Sequence, residues 1–304
     1  MTAATPARRS TAAFKRAGGA GWAALFVLPL FAGVVVFYLW PIVRNLWFSF
    51  TEWGPFGGAE WVGLDNYRQL ITDHTLYRSI LNTFAYTAIL ILSVPLAVGF
   101  AALLNRPGLR FVLLFRMAFF LPYVAMPSAI SMVWRIIYNG NYGVINYALG
   151  LVGIDGPNWL STEWVALFAV ALVGAWSALG FNLIVLSAGM KGIPPEMYEA
   201  AEIDGASRWR QFRSISVPLL TPSLFFVVVI SVVNGFQVFD LFYAMMGTGN
   251  PVMPRTQPVV YYFFSNVESG NNGYAAAIGM LLLVLVGLFT AIQFRLQRRW
   301  VHYA

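Results

Sequence analysis

Seven times in its 304 residues this chain runs for 18 or more residues without a charged side chain. Six of those runs are predominantly apolar. They lie between Arg16 and Arg44, Arg78 and Arg106, Arg116 and Arg135, Glu163 and Lys191, Arg213 and Asp240, and Glu268 and Arg295. They hold 27, 27, 18, 27, 26 and 26 residues. A hydrocarbon layer about 30 Å thick needs roughly 20 apolar residues as a helix. Lipid offers no partner to a free peptide group, so each run is expected to be helical. Composition agrees: 59% of residues are hydrophobic and 10% charged, where a soluble chain carries about 25% charged. The pattern predicts an all-α polytopic membrane protein with six transmembrane helices. The seventh run, "IIYNGNYGVINYALGLVGI" before Asp155, is rich in Asn and Gly and reads as a loop with a short helix.

The basic residues assign the sides. With the N-terminus inside, the inner segments hold Arg8, Arg9, Lys15 and Arg16; Arg106, Arg110 and Arg116; Lys191, Arg208, Arg210 and Arg213; and Arg295, Arg298 and Arg299. That is 14 of the 19 Lys and Arg residues, which puts both termini in the cytoplasm. The net charge of +7 is largely this bias, so it does not argue for a nucleic-acid partner. The pattern divides the chain into a cytoplasmic tail over 1–20, a first transmembrane helix over 21–43 and an external loop over 44–78. A five-helix core over 79–296 holds a cytoplasmic loop over 191–217, and a tail over 297–304 follows. The basic head resembles that of a signal peptide. The apolar run behind it is too long and lacks a small-residue cleavage site, so it reads as an uncleaved span. Cysteine is absent, which excludes disulfides and thiol chemistry.

The loop between the fourth and fifth spans is the most polar stretch of the core: "GIPPEMYEAAEIDGASRWRQFRSISVP". Pro194 and Pro195 suit a first helical turn, and Glu196 and Glu199 complement its positive end. Gly205 is a candidate helix stop. The basic segment after it reads as a second short helix ending before Pro218. Two readings fit: an amphipathic loop lying on lipid headgroups, or a docking element for a cytoplasmic partner.

The same stretch resembles the signature loop of permease subunits in binding-protein-dependent ABC importers. The signature is Glu-Ala-Ala, three residues, Gly, nine residues, then Ile-x-Leu-Pro. Here it reads Glu199, Ala200, Ala201, Gly205, Ile215, Val217 and Pro218, with Val217 in place of Leu. "WVGLDNY" at 61–67, "FRMAFFLPYVAMPSAISMVWRIIYN" at 115–139 and "FDLFYAMMGTGNP" at 239–251 resemble the carbohydrate-uptake branch, which includes maltose, oligosaccharide and glycerol-3-phosphate systems. The resemblance covers roughly residues 25–300. It implies a type I importer permease fold in the plasma membrane of a bacterium or archaeon. It also implies a second permease subunit, two ATPase subunits that hold ATP and magnesium, and an external binding protein that delivers a sugar-like solute. This chain itself would carry no cofactor. Lys15 and Lys191 are followed by Arg16 and Gly192, so neither sits in a Gly-Lys-Ser/Thr phosphate loop. His74 and His302 fall in loop and tail and read as non-catalytic.

By the resemblance, Glu199, Ala200, Ala201, Asp204, Gly205, Ile215 and Pro218 couple to the ATPase. Gly174, Ser177, Ala178 and Phe181 then lie nearest the solute. The flanking spans also offer Trp176, Asn182, Ser231, Asn234, Gln237 and, at the outer end of the fifth, Asp240. Ser231, Asn234 and Gln237 are spaced to share a helical face. Intramembrane polar groups of this kind either face a cavity or bond packed helices together. Trp176 and Phe181 either stack on a sugar or pack against neighbours. The fourth and fifth runs contain no Lys or Arg, which favours a neutral sugar or oligosaccharide over glycerol-3-phosphate or a glycerophosphodiester. A channel-like or scaffold protein is the alternative from another class.

The topology is directly testable, since any introduced cysteine is unique. A cysteine replacing Arg208 should be shielded from impermeant thiol reagents in intact cells, and one replacing Asp65 should react. Labelling at 208 from outside would overturn the six-span arrangement.

Overall fold

The computed structural model describes residues 19–54, 57–106 and 108–301. The basic head with Arg8, Arg9, Lys15 and Arg16 lies outside the described residues, as does His302 at the end of the tail.

The first apolar run forms α1 (Gly19–Val34), a π-helical turn (Val35–Leu39) and α2 (Trp40–Phe48). The Trp40 amide donates to Val35 O, five residues back. A proline has no amide to donate and crowds the carbonyl four residues before it, and this widened turn comes just ahead of Pro41. Leu25 to Trp47 expose nearly all of their large side chains, so this helix stands outside the core. The Asn45 amide ties it to Ala276 O of the last helix at 3.1 Å.

An external knot follows. Strands β1 (Thr51–Trp53) and β2 (Ala59–Trp61) form an antiparallel hairpin with Thr51 opposite Trp61, an element the apolar pattern did not anticipate. Helix α3 (Asp65–Thr72) packs beside it. Asn66 Nδ2 donates to both Ser49 O and Thr51 O at 3.0 Å.

The core is built on α4 (His74–Leu104) and α8 (Glu163–Lys191). Buried alanines let these two helices approach closely: Ala97 and Ala101 on α4, and Ala166, Ala169 and Ala171 on α8. Small residues serve this purpose where lipid removes the hydrophobic drive to associate. Helix α5 (Val112–Val124) packs on α8, and α6 (Pro127–Ile137) turns away from it at 99°. The third run is therefore a broken helix, correcting the expectation of a continuous span. Pro127 explains it, because the residue before a proline is pushed out of helical geometry: Met126 has φ −58° and ψ 132°. Beyond it the Asn- and Gly-rich run carries only the short α7 (Val144–Gly150) within a loop, as expected.

On the cytoplasmic side, α9 (Pro195–Ile203) is followed by α10 (Arg208–Gln211), a second π-turn (Phe212–Ser216) and α11 (Val217–Leu219). The second helix was expected to end before Pro218; it continues through Pro218 to Leu219. The reason repeats the device at Pro41: the Val217 amide donates to Phe212 O, five residues back, and the turn ahead of the proline is widened. The chain then bends by 65° at Leu220 into α12 (Thr221–Phe236). Helices α13 (Asp240–Met246), α14 (Met253–Thr256) and α15 (Val259–Glu268) lead to α16 (Asn272–Trp300). Four helices among the described residues are long and apolar enough to cross a membrane, and the two bent pairs bring the number to six.

Asp73 joins three of these helices on the outer side. Its carboxylate caps α4 by accepting from the Thr75 and Leu76 amides. It also accepts from the hydroxyls of Tyr262 on α15 and Tyr274 on α16. Burial alone would raise its pKa. The hydrogen bonds from Tyr262, Tyr274 and the two amides outweigh burial and hold it below the ordinary value of 3.8. Burial, then the Asp73 contact, pushes the Tyr262 hydroxyl up to about 12, so it remains a donor. A carboxyl whose pKa falls on folding stabilises the fold fully above its unfolded pKa. That contribution is lost as pH drops through the lower folded value. Asp73→Ala should lower the melting temperature, at a cost of about 2–4 kcal/mol from the lost cap and two unpaired hydroxyls. Asp73→Asn should flatten the acid limb of a melting-temperature profile below about pH 4. An unchanged profile would remove Asp73 from this role.

Candidate functional site: a cavity and a cytoplasmic loop

The break between α5 and α6 and the break between α12 and α13 open onto one cavity of about 380 Å³. Tyr86 and Leu90 of α4 form one wall. Pro122, Tyr123, Ala125 and Pro127 line it where α5 meets α6. Gly174, Ser177 and Ala178 of α8 face it, and Asn234, Gln237, Val238, Phe239 and Asp240 close it where α12 gives way to α13. Irregular backbone within a membrane protein survives where it lines a cavity rather than lipid. A wider recess of about 550 Å³ lies on the outer side, walled by the 140–156 loop and α7. It shares no residue with the first, whose walls come from four apolar runs.

Of the ten residues singled out for the solute path, six line the cavity: Gly174, Ser177, Ala178, Asn234, Gln237 and Asp240. The expected common face of Ser231, Asn234 and Gln237 does not form. Helix α12 ends at Phe236, and Gln237 has φ −101° and ψ 8°. Ser231 is buried in the bundle, away from the lining. Trp176 packs edge-on against Trp134, with centroids 5.5 Å apart. Phe181 stacks on Tyr123 at 5.1 Å and so supports the wall from behind. Asn182 is buried, and its Nδ2 has no protein partner. Ser177 Oγ is likewise without a protein partner, at the cavity wall.

Among the lining residues, the aromatic Tyr86, Tyr123 and Phe239 escaped the sequence reading. Tyr86 and Tyr123 sit in apolar runs where an aromatic signals packing as readily as contact. Asp240, which the fifth run offered at its outer end, does reach the cavity. The shortened α12 brings it into the lining at the first turn of α13, where a carboxylate suits the positive helix end. It is the cavity's only acid, and the lining holds no Lys or Arg.

Gly174 shows how tightly the wall is built. A Cβ there would lie 2.2 Å from the Tyr86 hydroxyl oxygen, so α8 passes the ring only without a side chain. Gly174→Ala should destabilise the protein by about 1–3 kcal/mol. Tyr86→Phe in the same chain should recover part of the loss by removing the oxygen. Thermal melts of the single and double variants check this. A double variant melting below Gly174→Ala would refute the contact.

At the cytoplasmic loop, Pro194 and Pro195 start α9 as expected, and Gly205 ends it with φ +72°. The Ala206 amide donates to Ala201 O at 2.8 Å, closing the helix end. Glu199, Ala200, Asp204 and Gly205 are exposed and Ala201 is half-buried. Ile203 is 87% exposed, an apolar side chain at the tip that the motif alone did not single out. Ile215 and Pro218 are half-buried and sit on the other helix of the loop, with Ile215 against the inner core. The seven motif residues thus divide between an exposed tip and a packed base.

A bent-helix bundle with a central cavity and a protruding cytoplasmic helical loop defines a membrane permease. Residues 22–302 match the family described as the inner membrane component of binding-protein-dependent transport systems, and the chain belongs to that family. It is 35% identical over 291 residues to the probable ABC transporter permease protein YesP of Bacillus subtilis strain 168, covering 93% of this chain and 92% of YesP. It is 31% identical over 274 residues to AraP of the same strain, the permease protein of an arabinooligosaccharide transport system, covering 90% and 87%. The crystal structure of a bacterial ABC transporter importing the acidic polysaccharide alginate shares the fold, with a TM-score of 0.81 at 20% identity over 92% of this chain and 96% of that one. The chain is a multi-pass permease subunit of the inner membrane with the type I importer fold.

Proposed function

We propose that this subunit, paired with a second permease, forms the pathway for a neutral sugar or oligosaccharide. An external binding protein delivers the solute. Two ATPase subunits, which carry ATP and magnesium, dock on the cytoplasmic loops and drive import. The observation that carries the solute class is the cavity lining. It offers the rings of Tyr86, Tyr123 and Phe239, the amides of Asn234 and Gln237, the Ser177 hydroxyl and the Asp240 carboxylate, without a cation. Rings and a few convergent polar groups suit a molecule with many hydroxyls and apolar faces. A carboxylate accepts from hydroxyls and repels a phosphate. The arabinooligosaccharide system of AraP supports the same class. Family membership and the exposed tip of α9 support the ATPase contact.

The test uses the full assembly in proteoliposomes. Neutral oligosaccharides should be taken up and should stimulate ATP hydrolysis, whereas glycerol-3-phosphate should do neither; the reverse preference would refute the neutral-solute reading. Asn234→Leu should reduce uptake with little change in melting temperature. At the loop, a β-branched residue at positive φ strains the turn by roughly 1 kcal/mol or more. The exposed Glu199 contributes at most about 1 kcal/mol through an ion pair. Gly205→Val should therefore release the ATPase subunits or abolish solute-stimulated hydrolysis, and Glu199→Gln should act mildly. Full retention and full stimulation in Gly205→Val would reject the docking role.

A further inference from the structure

The exposed tip of α9 and the cavity are separated by the packed base of the loop, and one polar contact crosses that base. The Tyr198 hydroxyl lies 2.9 Å from Ser216 Oγ. Tyr198 is on the inward face of α9, half-buried, and packs with Phe212 and Ile215 against the inner core. Ser216 is buried and is the last residue of the second π-turn. A second strap holds the turn between the two helices: Gln211, also buried, donates from Nε2 to Ala206 O at 3.2 Å. The Tyr198–Ser216 contact therefore fastens α9 to the 208–219 helix, and Gln211 fixes the turn that joins them. The first discontinuity beyond them is the 65° bend at Leu220. Past it, α12 runs to Asn234 and to the Gln237–Asp240 segment at the cavity. Single π-turns inside helices are frequently found at functional sites, and here the turn carries the serine that meets the α9 tyrosine.

We propose that the Tyr198–Ser216 hydroxyl pair is a transmission contact. It makes α9 and the 208–219 helix move as one lever about Leu220, so that displacement of the docking tip reaches the cavity end of α12. Both residues position the lever, and neither meets solute or nucleotide. The proposal rests on the reading that α9 docks on an ATPase subunit. It assigns the step after docking, and it predicts that docking and coupling separate.

The experiment measures ATPase retention, solute-stimulated hydrolysis and uptake per ATP in the complete reconstituted assembly. The variants are Tyr198→Phe, Ser216→Ala, Ser216→Thr and the Tyr198→Phe/Ser216→Ala pair. Tyr198→Phe and Ser216→Ala should keep the ATPase subunits bound but lower uptake per ATP by roughly two- to tenfold, the range one net hydrogen bond covers. The double variant should be no worse than either single one, because both remove the same contact. Ser216→Thr retains a hydroxyl and should keep coupling. Unchanged uptake per ATP in Tyr198→Phe, or losses that multiply in the double variant, would overturn the proposal. Release of the ATPase from Tyr198→Phe would also overturn it, by placing the hydroxyl in docking. The docking reading fails separately, through Gly205→Val.

Discussion

A peptide group inside hydrocarbon has no water to bond, so a helix that breaks within an apolar run must break against something other than lipid. Two breaks in this chain open onto a cavity in that way. Between Val124 and Pro127 the backbone leaves the helix ahead of a proline, and between Phe236 and Asp240 it leaves the helix again. The two breaks face each other across one cavity, with α4 and α8 supplying the remaining walls. The constraint accounts for both the position of the cavity and its polar lining. The Asn234 and Gln237 amides and the Asp240 carboxylate gather where the helix ends.

The cavity keeps its shape because α4 and α8 are held close. Buried alanines set their spacing, and Gly174 lets the Tyr86 ring lie against α8 with no intervening side chain. On the outer side Asp73 fastens the start of α4 to α15 and α16 through two tyrosines. On the inner side the core around Ala97, Leu183 and Leu220 runs into the cytoplasmic loop through Ile193 and Ile215. The cavity wall with Tyr86 and Leu90 and the loop base with Ile193 and Leu220 are two buried clusters, and α4 and α8 run through both. The tip of α9, with Ile203, stands clear of both.

Charge spacing alone located the apolar runs, because each uncharged stretch is bounded by arginine, lysine or an acid. The loop was legible for a different reason: proline pairs, acidic first-turn residues and Gly205 are local signals, and α9 with its left-handed stop follows from them. The breaks were less legible. Pro127 announces one, yet 18 uncharged residues without interruption read as a single span. Pro218 reads as a helix end, but a π-turn carries the helix past it, and whether a proline stops a helix or widens its preceding turn depends on surrounding packing. The side-chain roles were divided in the same way. Ser231 and Asn234 are three residues apart on one helix, but only Asn234 reaches the cavity.

The sequence by itself determined that this is a helical membrane protein, which loop protrudes between the fourth and fifth runs, and which family its motif belongs to. These depend on composition, on short-range spacing and on residues that act within a turn of one another. Only the tertiary structure decided that α12 stops at Phe236, that Asp240 turns into the lining, and that Tyr198 meets Ser216 across eighteen positions of chain. Each of those depends on which faces of distant helices pack together. That is set by the summed fit of many small contacts, and no local pattern encodes it.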